Sequence, residues 1–272
     1  LLLCYYTFMI LLLLAVFGLV FGSFVNALVW RLHEKRDWVN ERSECTHCHH
    51  VLGPKDLIPV LSYVLLRGKC RYCHKPIQDK PYVELAVPTF FIISYLYWPM
   101  AWAAEGTFLF IFWLVFLVGF AVLTLYDARW FLLPDVIVFS LIGLAIVQVA
   151  GDAALFGAGE SLSKLTQPVL AAAIISGLFL LLYVVSKGNW IGFGDVKLGI
   201  VLGLLAGGAM PALLVLLSSS LIGTVVTLPL LVQGKAGRKT ELPFGPLLIA
   251  GIIITKLFGA RIITWYTNLL VF

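Results

Sequence analysis

TFLFIFWLVFLVGFAVLTLYD, residues 107–127, decides how this chain is read. An uncharged apolar run of about twenty residues crosses a bilayer as a helix, and this one ends on Asp127. A carboxylate at the end of a hydrophobic span is costly unless it has a partner or a task. A second carboxylate has the same setting: Asp195 closes GFGD, residues 192–195, and opens the apolar run VKLGIVLGLL. Two carboxylates that share one proton provide the acid and the base of aspartic peptidase chemistry. The plainer reading, in which each is a solvated helix-end acid or an N-cap, stays open on spacing alone.

The rest of the chain fits a membrane setting. Of its 272 residues, 61% are hydrophobic and 12% charged, with a mean hydropathy of +1.00, more apolar sequence than a soluble core can use. Apolar runs lie at about 4–30, 83–102, 107–125, 134–151, 169–186, 196–209, 211–232 and 244–262. The expected fold is therefore an all-α polytopic membrane protein with about eight transmembrane helices. The run at 196–209 is short: its start could lie nearer Ile191, or its end could run deeper into the GGAMP turn. Residues 1–30 lack a basic n-region and stay apolar for longer than a signal-peptide core, so they are expected to remain as the first transmembrane helix. Loop 152–167 is expected as the main external loop.

The formal net charge of +5 reads as topology rather than as a nucleic-acid footprint. With the N-terminus outside, only Lys164, Lys256 and Arg261 of the 19 Lys and Arg residues fall away from the cytoplasmic side. That orientation puts Asp127, Asp195, loop 233–243 and the polar insert on one face. Three parts follow: a first helix at 1–30, a cysteine-rich cytoplasmic insert at 31–82, and a seven-helix membrane domain at 83–272.

The insert is too small to bury much apolar surface by itself, so a metal staple is sensible. Cys45 and Cys48 form CTHC, Cys70 and Cys73 form CRYC, and 21 residues separate the pairs. Four thiolates at tetrahedral reach suit a structural Zn²⁺ with no open position, and a cytoplasmic location disfavours disulfides. His47, His49, His50 and His74 lie close enough to substitute as ligands. Cys4, in the first span, reads as a plain buried thiol.

Other residues have modest readings. Gly192 and Gly194 allow close backbone approach beside Asp195. Asp135, after Pro134, reads as the cap of the fourth span. Lys197 could tune the acid pair or snorkel to headgroups. Glu241 reads as an interfacial acid or a substrate-facing one. Ser23 and Asn26 suit helix packing, and Glu84 suits a helix N-terminus.

FGSFVNALVWRL, the segment from Cys45 through LIPVLSYVLLRGKCRYCHKPI to Glu84, YDARWFLLPD, GFGDVKLG and PFGPLLIAG occur in this order. Together they resemble the bacterial type IV prepilin peptidases, the prepilin leader peptidase/N-methyltransferase family, over nearly the whole length. The resemblance implies that Asp127 and Asp195 are the catalytic aspartates and that Cys45, Cys48, Cys70 and Cys73 hold zinc. It implies an enzyme of the bacterial inner membrane, with active site and insert facing the cytoplasm. Its expected partners are prepilin or pseudopilin precursors and the lipid bilayer, without nucleic acid. The leader is expected to be cut after a glycine, and S-adenosyl-L-methionine to methylate the new N-terminus. No glycine-rich dinucleotide-type loop is found, so no residue is assigned to the methyl donor.

Tyr126 stands where the family commonly has Ile, and Tyr-Asp with Gly-Phe-Gly-Asp also resembles presenilin-like G-x-G-D proteases. PFGP departs from the Pro-Ala-Leu of that group, which lacks the cysteine insert. A proton-coupled transporter would place acids near the midplane of two matching halves, and no such symmetry is evident. A zinc-bearing scaffold would tolerate loss of either aspartate.

Overall fold

The computed structural model describes residues 2–38, 40–77, 79–157, 159–233 and 243–270. Among these the regular elements are helices: α1 (Leu2–His33), α2 (Leu61–Leu65), α3 (Tyr82–Leu96), α4 (Ala104–Trp130), α5 (Asp135–Phe156), α6 (Ser161–Ser186), α7 (Phe193–Ala206), α8 (Ala209–Val232) and α9 (Phe244–Leu270). Two compact units form, one of Leu1–Leu96 with Leu117–Val122, the other of Tyr97–Phe116 with Leu123–Phe272.

In the first unit α1 and α3 pack against each other. The contact is set by glycine in GSFVN and just before it. Gly18 lies directly on Pro88, and a Cβ at Gly22 would stand 2.6 Å from the Cα of Glu84. Small residues let two backbones approach where lipid supplies no hydrophobic drive. Ser23 and Asn26 follow on the same helix, as the sequence reading placed them.

Between α1 and α3 the insert contains a 3₁₀ turn at Pro54–Asp56, the short α2 and two knuckles of the same design. In the first, Cys45 N–H donates to His50 C=O at 3.0 Å and His49 N–H to Cys45 C=O at 2.9 Å. In the second, Cys70 N–H donates to Lys75 C=O at 2.9 Å and His74 N–H to Cys70 C=O at 3.0 Å. Isolated bridges Glu44–Val51 and Lys69–Pro76 close the two loops. Residues 43–52 and 68–77 thus repeat a fold. The shared letters C-x-x-C-H are too few to show it.

In the second unit α7 is the centre. It packs on α5, α6, α8 and α9, and Val196, Leu198, Val201, Leu202, Leu204 and Leu205 are all buried. A helix that is apolar all round belongs inside. Its glycines let α6 come close: Gly203 lies directly on Ala172, and a Cβ at Gly199 would stand 3.1 Å from the Cα of Ser176. Ser176 Oγ also donates to Val196 C=O at 2.9 Å. At the far end of α4 from Asp127, Lys164 joins Glu105 at 2.7 Å and Asp152 at 3.3 Å, tying α4, α5 and α6.

The expected count of eight spans is not met. Among the described residues six helices are long and apolar enough to cross a membrane. The other two apolar segments form α3, of 15 residues, and α7, of 14, which at 1.5 Å per residue extend only about 21–23 Å. Residues 97–102, apolar but containing Pro99, leave the helix. Gly207, at φ 75°, ends α7 in a left-handed cap. The expected loop 152–167 is mostly helix, because α5 continues to Phe156 and α6 starts at Ser161. Residues 234–242, including Glu241, Lys235, Arg238 and Lys239, lie outside the described residues, as does the side chain of Cys4.

Gly203→Leu is expected to destabilise the purified protein by about 1–3 kcal/mol through overpacking against α6, read as a lower melting temperature in detergent. Gly143→Ala, where a Cβ meets nothing within 4 Å, is expected to change stability by less than about 1 kcal/mol. Equal melting of the two variants would contradict this packing.

Candidate functional site

Asp127 lies in the last turn of α4, which ends when Phe131 takes φ 54° and donates its N–H to Asp127 C=O at 2.9 Å. The side chain is buried, with 5% exposure. A carboxylate at a helix C-terminus faces the negative end of the helix dipole, so it needs donors from elsewhere. One comes from α9: Gly245 N–H donates to Asp127 Oδ2 at 3.0 Å, across 118 positions of sequence.

Asp195 lies in the first turn of α7, at the favourable end of a helix dipole. Its backbone N–H donates to the C=O of Gly192, the N-cap residue, at 3.1 Å. A Cβ at Gly192 would stand 3.6 Å from Asp195 Oδ2, an ordinary contact.

The surroundings of Asp127 and Asp195 meet at one residue, Leu133. Built Cβ atoms at Gly194 and Gly245 would stand 3.1 Å and 3.3 Å from its side chain. Three segments far apart in sequence, YDARWFLLPD, GFGD and PFGP, therefore meet at one place.

Neither Asp135 nor Lys197 behaves as first expected. Asp135 begins α5 after Pro134 and makes no side-chain cap. Its carboxylate pairs instead with Lys197. The ammonium also lies over the rings of Phe139 and Phe193, at 5.5 Å and 5.4 Å from their centroids. Tyr126 stacks on Trp130, with centroids 4.6 Å apart. Gly245 and Leu133 were not named as site residues. PFGP held a clue to the first, in a glycine flanked by rigid residues at a helix start, but nothing in the sequence marks Leu133.

The first unit holds a separate cluster. The sulfur atoms of Cys45, Cys48, Cys70 and Cys73 all lie within 4.8 Å of one another, with Cys45 and Cys73 at 3.9 Å. Four thiolates around a tetrahedral Zn²⁺ at about 2.3 Å stand about 3.8 Å apart, so the residues fit the ion. Burial opposes ionisation of the Cys45 thiol, but the backbone N–H groups of His47 and Cys48 and nearby thiols outweigh it and bring it down to about 7. Thiolate is the form a metal binds. His49 and His74 have φ 55° and φ 57°: they occupy the turn position of each knuckle, and the His49 ring turns to Glu44 at 3.5 Å.

Ion pairs frame the knuckles. Arg36 bonds Glu41 at 2.5 Å and Glu44 at 2.6 Å, and Arg71 bonds Asp56 at 2.7 Å. The Arg71 guanidinium holds the Asp56 carboxyl below its ordinary range. Glu84 does more than favour a helix N-terminus, since its Oε2 accepts from Val60 N–H at 2.6 Å. Val60 has φ 60° and ψ −48°, and Leu61 N–H reaches back to Pro59 C=O at 2.5 Å. This is a γ-turn of the rare positive-φ kind, strained for a β-branched residue. A cavity of about 240 Å³ opens beside it, lined by Asn26, Trp30 and Arg31 of α1 and by Tyr63 and Arg71 of the insert. The Oδ1 atom of Asn26 is buried there without a hydrogen-bond partner.

Residues 16–98 match the family described as Bacterial Peptidase A24 N-terminal domain, and residues 114–228 match the Type IV leader peptidase family. A prepilin leader peptidase/N-methyltransferase of Pseudomonas aeruginosa is 32% identical, covering 92% of this chain and 90% of its own. One of Bacillus subtilis is 28% identical, covering 94% and 97%. A type 4 prepilin-like proteins leader peptide-processing enzyme of Escherichia coli is 29% identical, covering 88% and 90%. No solved structure matches the chain. The chain belongs to the type IV leader peptidase family.

Cys45→Ser and Cys70→Ser are each expected to lower the zinc content of the purified protein from about one equivalent toward zero and to expose the insert to proteolysis, as read by metal analysis and limited digestion. Stable protein that keeps its zinc after either change would contradict the four-thiolate site.

Proposed function

We propose that this member of the type IV leader peptidase family is an aspartyl endopeptidase that removes the leader of type IV prepilin-like precursors at the cytoplasmic face of the bacterial inner membrane. The observation that carries the reading is that Leu133 neighbours both Gly194, beside Asp195, and Gly245, bonded to Asp127, while Lys197, the basic residue nearest Asp195 in sequence, is bound to Asp135. Two acids whose nearest lysine in sequence is bound elsewhere are suited to sharing a proton.

In the reaction one aspartate is ionised and takes a proton from water, whose oxygen bonds to the scissile carbonyl carbon. The other, protonated, gives its proton to the carbonyl oxygen. Collapse of the tetrahedral species breaks the C–N bond: the leaving amine takes the proton held by the first aspartate, and a hydroxyl of the diol returns its proton to the second as the C=O re-forms. The exposed lipid-facing helices and the interfacial position of the acids suit a substrate that is itself an apolar helix. The excess of Lys and Arg on one side supports the cytoplasmic orientation. The organisation that accompanies this reading is a first helix at 1–30, an insert at 31–82 and a membrane domain at 83–272.

Zinc at Cys45, Cys48, Cys70 and Cys73 is structural in this account, since four thiolates leave no open position. The N-methyltransferase in the relatives' names extends the proposal to methylation of the new N-terminus. S-adenosyl-L-methionine supplies an electrophilic methyl group on a sulfonium. The cavity of the first unit suits it: Asn26 offers an unpartnered acceptor, Trp30 and Tyr63 offer rings for a base, and Arg31 offers a guanidinium for a carboxylate.

Asp127→Asn and Asp195→Asn are each expected to reduce cleavage of a prepilin-type substrate by at least about 10³-fold while leaving expression and zinc content unchanged. Normal cleavage by either variant would overturn the aspartyl assignment. Asn26→Leu is expected to weaken binding of labelled S-adenosyl-L-methionine at least tenfold in equilibrium dialysis without changing zinc content. Unchanged binding would place the methyl donor elsewhere.

A further inference from the structure

We infer that Gly245, in the C-terminal PFGP segment, is a positioning residue for Asp127: its N–H and its lack of a side chain together set where that carboxylate points. The inference rests on the aspartyl reading above and adds a residue to it.

Gly245 is buried in the first turn of α9, where amide N–H groups have no partner within the helix. Its N–H can therefore bond Asp127 Oδ2 at 3.0 Å without breaking a helical bond. The next residue, Pro246, has no N–H to offer and fixes its own φ. The preceding Phe244 packs edge-on against Phe179 of α6, with centroids 5.9 Å apart. The donor is thus held in place from both sides. With Oδ2 engaged, the other oxygen of Asp127 is the one free to face water or a peptide carbonyl.

The missing side chain matters equally. A Cβ at position 245 would stand 2.8 Å from Asp127 Oδ2 and 3.3 Å from Leu133 Cδ2. The first distance is shorter than a Cβ tolerates. Leu133 also neighbours Gly194, beside Asp195: its Cβ lies 3.1 Å from where a Cβ on Gly194 would stand. Any side chain here displaces the first acid or presses on the neighbour of the second.

The test compares steady-state cleavage and thermal melting of the parent, Asp127→Asn, Gly245→Ala and Gly251→Ala. Gly251 is the control, on the same helix: a Cβ there meets Ser219 and Val215 rather than either acid. Displacing a reacting group by about 1 Å costs on the order of 10²-fold. Gly245→Ala should therefore lose about 100-fold in kcat with KM within twofold, and melt no lower than Gly251→Ala, which should keep the kcat of the parent. Parent-like kcat in Gly245→Ala, while Asp127→Asn is inactive, would overturn the inference and leave the aspartyl reading standing. Activity in Asp127→Asn would remove the reading and the inference with it. Equal losses of kcat in the two glycine variants would make Gly245 a packing residue only. Should Gly245→Ala fail to fold, replacing Gly245 by glycolic acid in cell-free synthesis deletes the N–H and adds no bulk. That form should lose at least tenfold in kcat, and parent-like kcat in it would equally overturn the inference.

Discussion

A carboxylate at the end of an apolar helix must find donors or another charge to answer it, and the second unit is arranged around that demand. Asp127 ends α4 where the helix field opposes it, and its identified donor comes from a helix more than a hundred residues away. Asp195 begins α7, where the field favours it. The two helices therefore bring like groups together by opposite means. Central burial of α7, with glycine on the face toward α6, lets a helix of 14 residues carry its acid to that meeting point.

The first unit solves a different problem with the same economy of contacts. A segment this short has little apolar surface to bury, so it uses two identical knuckles, four sulfur atoms and a frame of ion pairs. Its junction with the α1–α3 pair is a hydrogen bond from the backbone N–H of the strained Val60 to the Glu84 carboxylate. Strain of this kind persists only where the surroundings hold it. Here they are Glu84 on one side and the glycine-packed helix pair on the other.

Much of this was legible in the sequence because the signals were local. Apolar runs gave the helices, Asp127 and Asp195 stood out as acids in apolar surroundings, and C-x-x-C pairs gave the sulfur cluster. The count of spans was less legible, because the length of an apolar run is not the length of a helix: Pro99 and Gly207 end α3 and α7 early. Partner choice was not legible at all. Lys197 stands two positions from Asp195 yet binds Asp135, since a helix turns it toward Phe139 and α5. The histidines of the insert looked like ligands by proximity, whereas His49 and His74 serve the backbone turns. Gly245 was hidden because its role depends on a contact across 118 positions.

The central claim is that Asp127 and Asp195 form one proton-sharing pair. The most direct measurement is a carbon-13 NMR titration of carboxyl-labelled aspartate in the detergent-solubilised protein, with the two signals assigned by substitution. The account predicts that the carboxyls titrate as a coupled pair, so that Asp195→Asn changes the titration of Asp127 and Asp127→Asn changes that of Asp195. Titration of each carboxyl unaltered by loss of the other would contradict it.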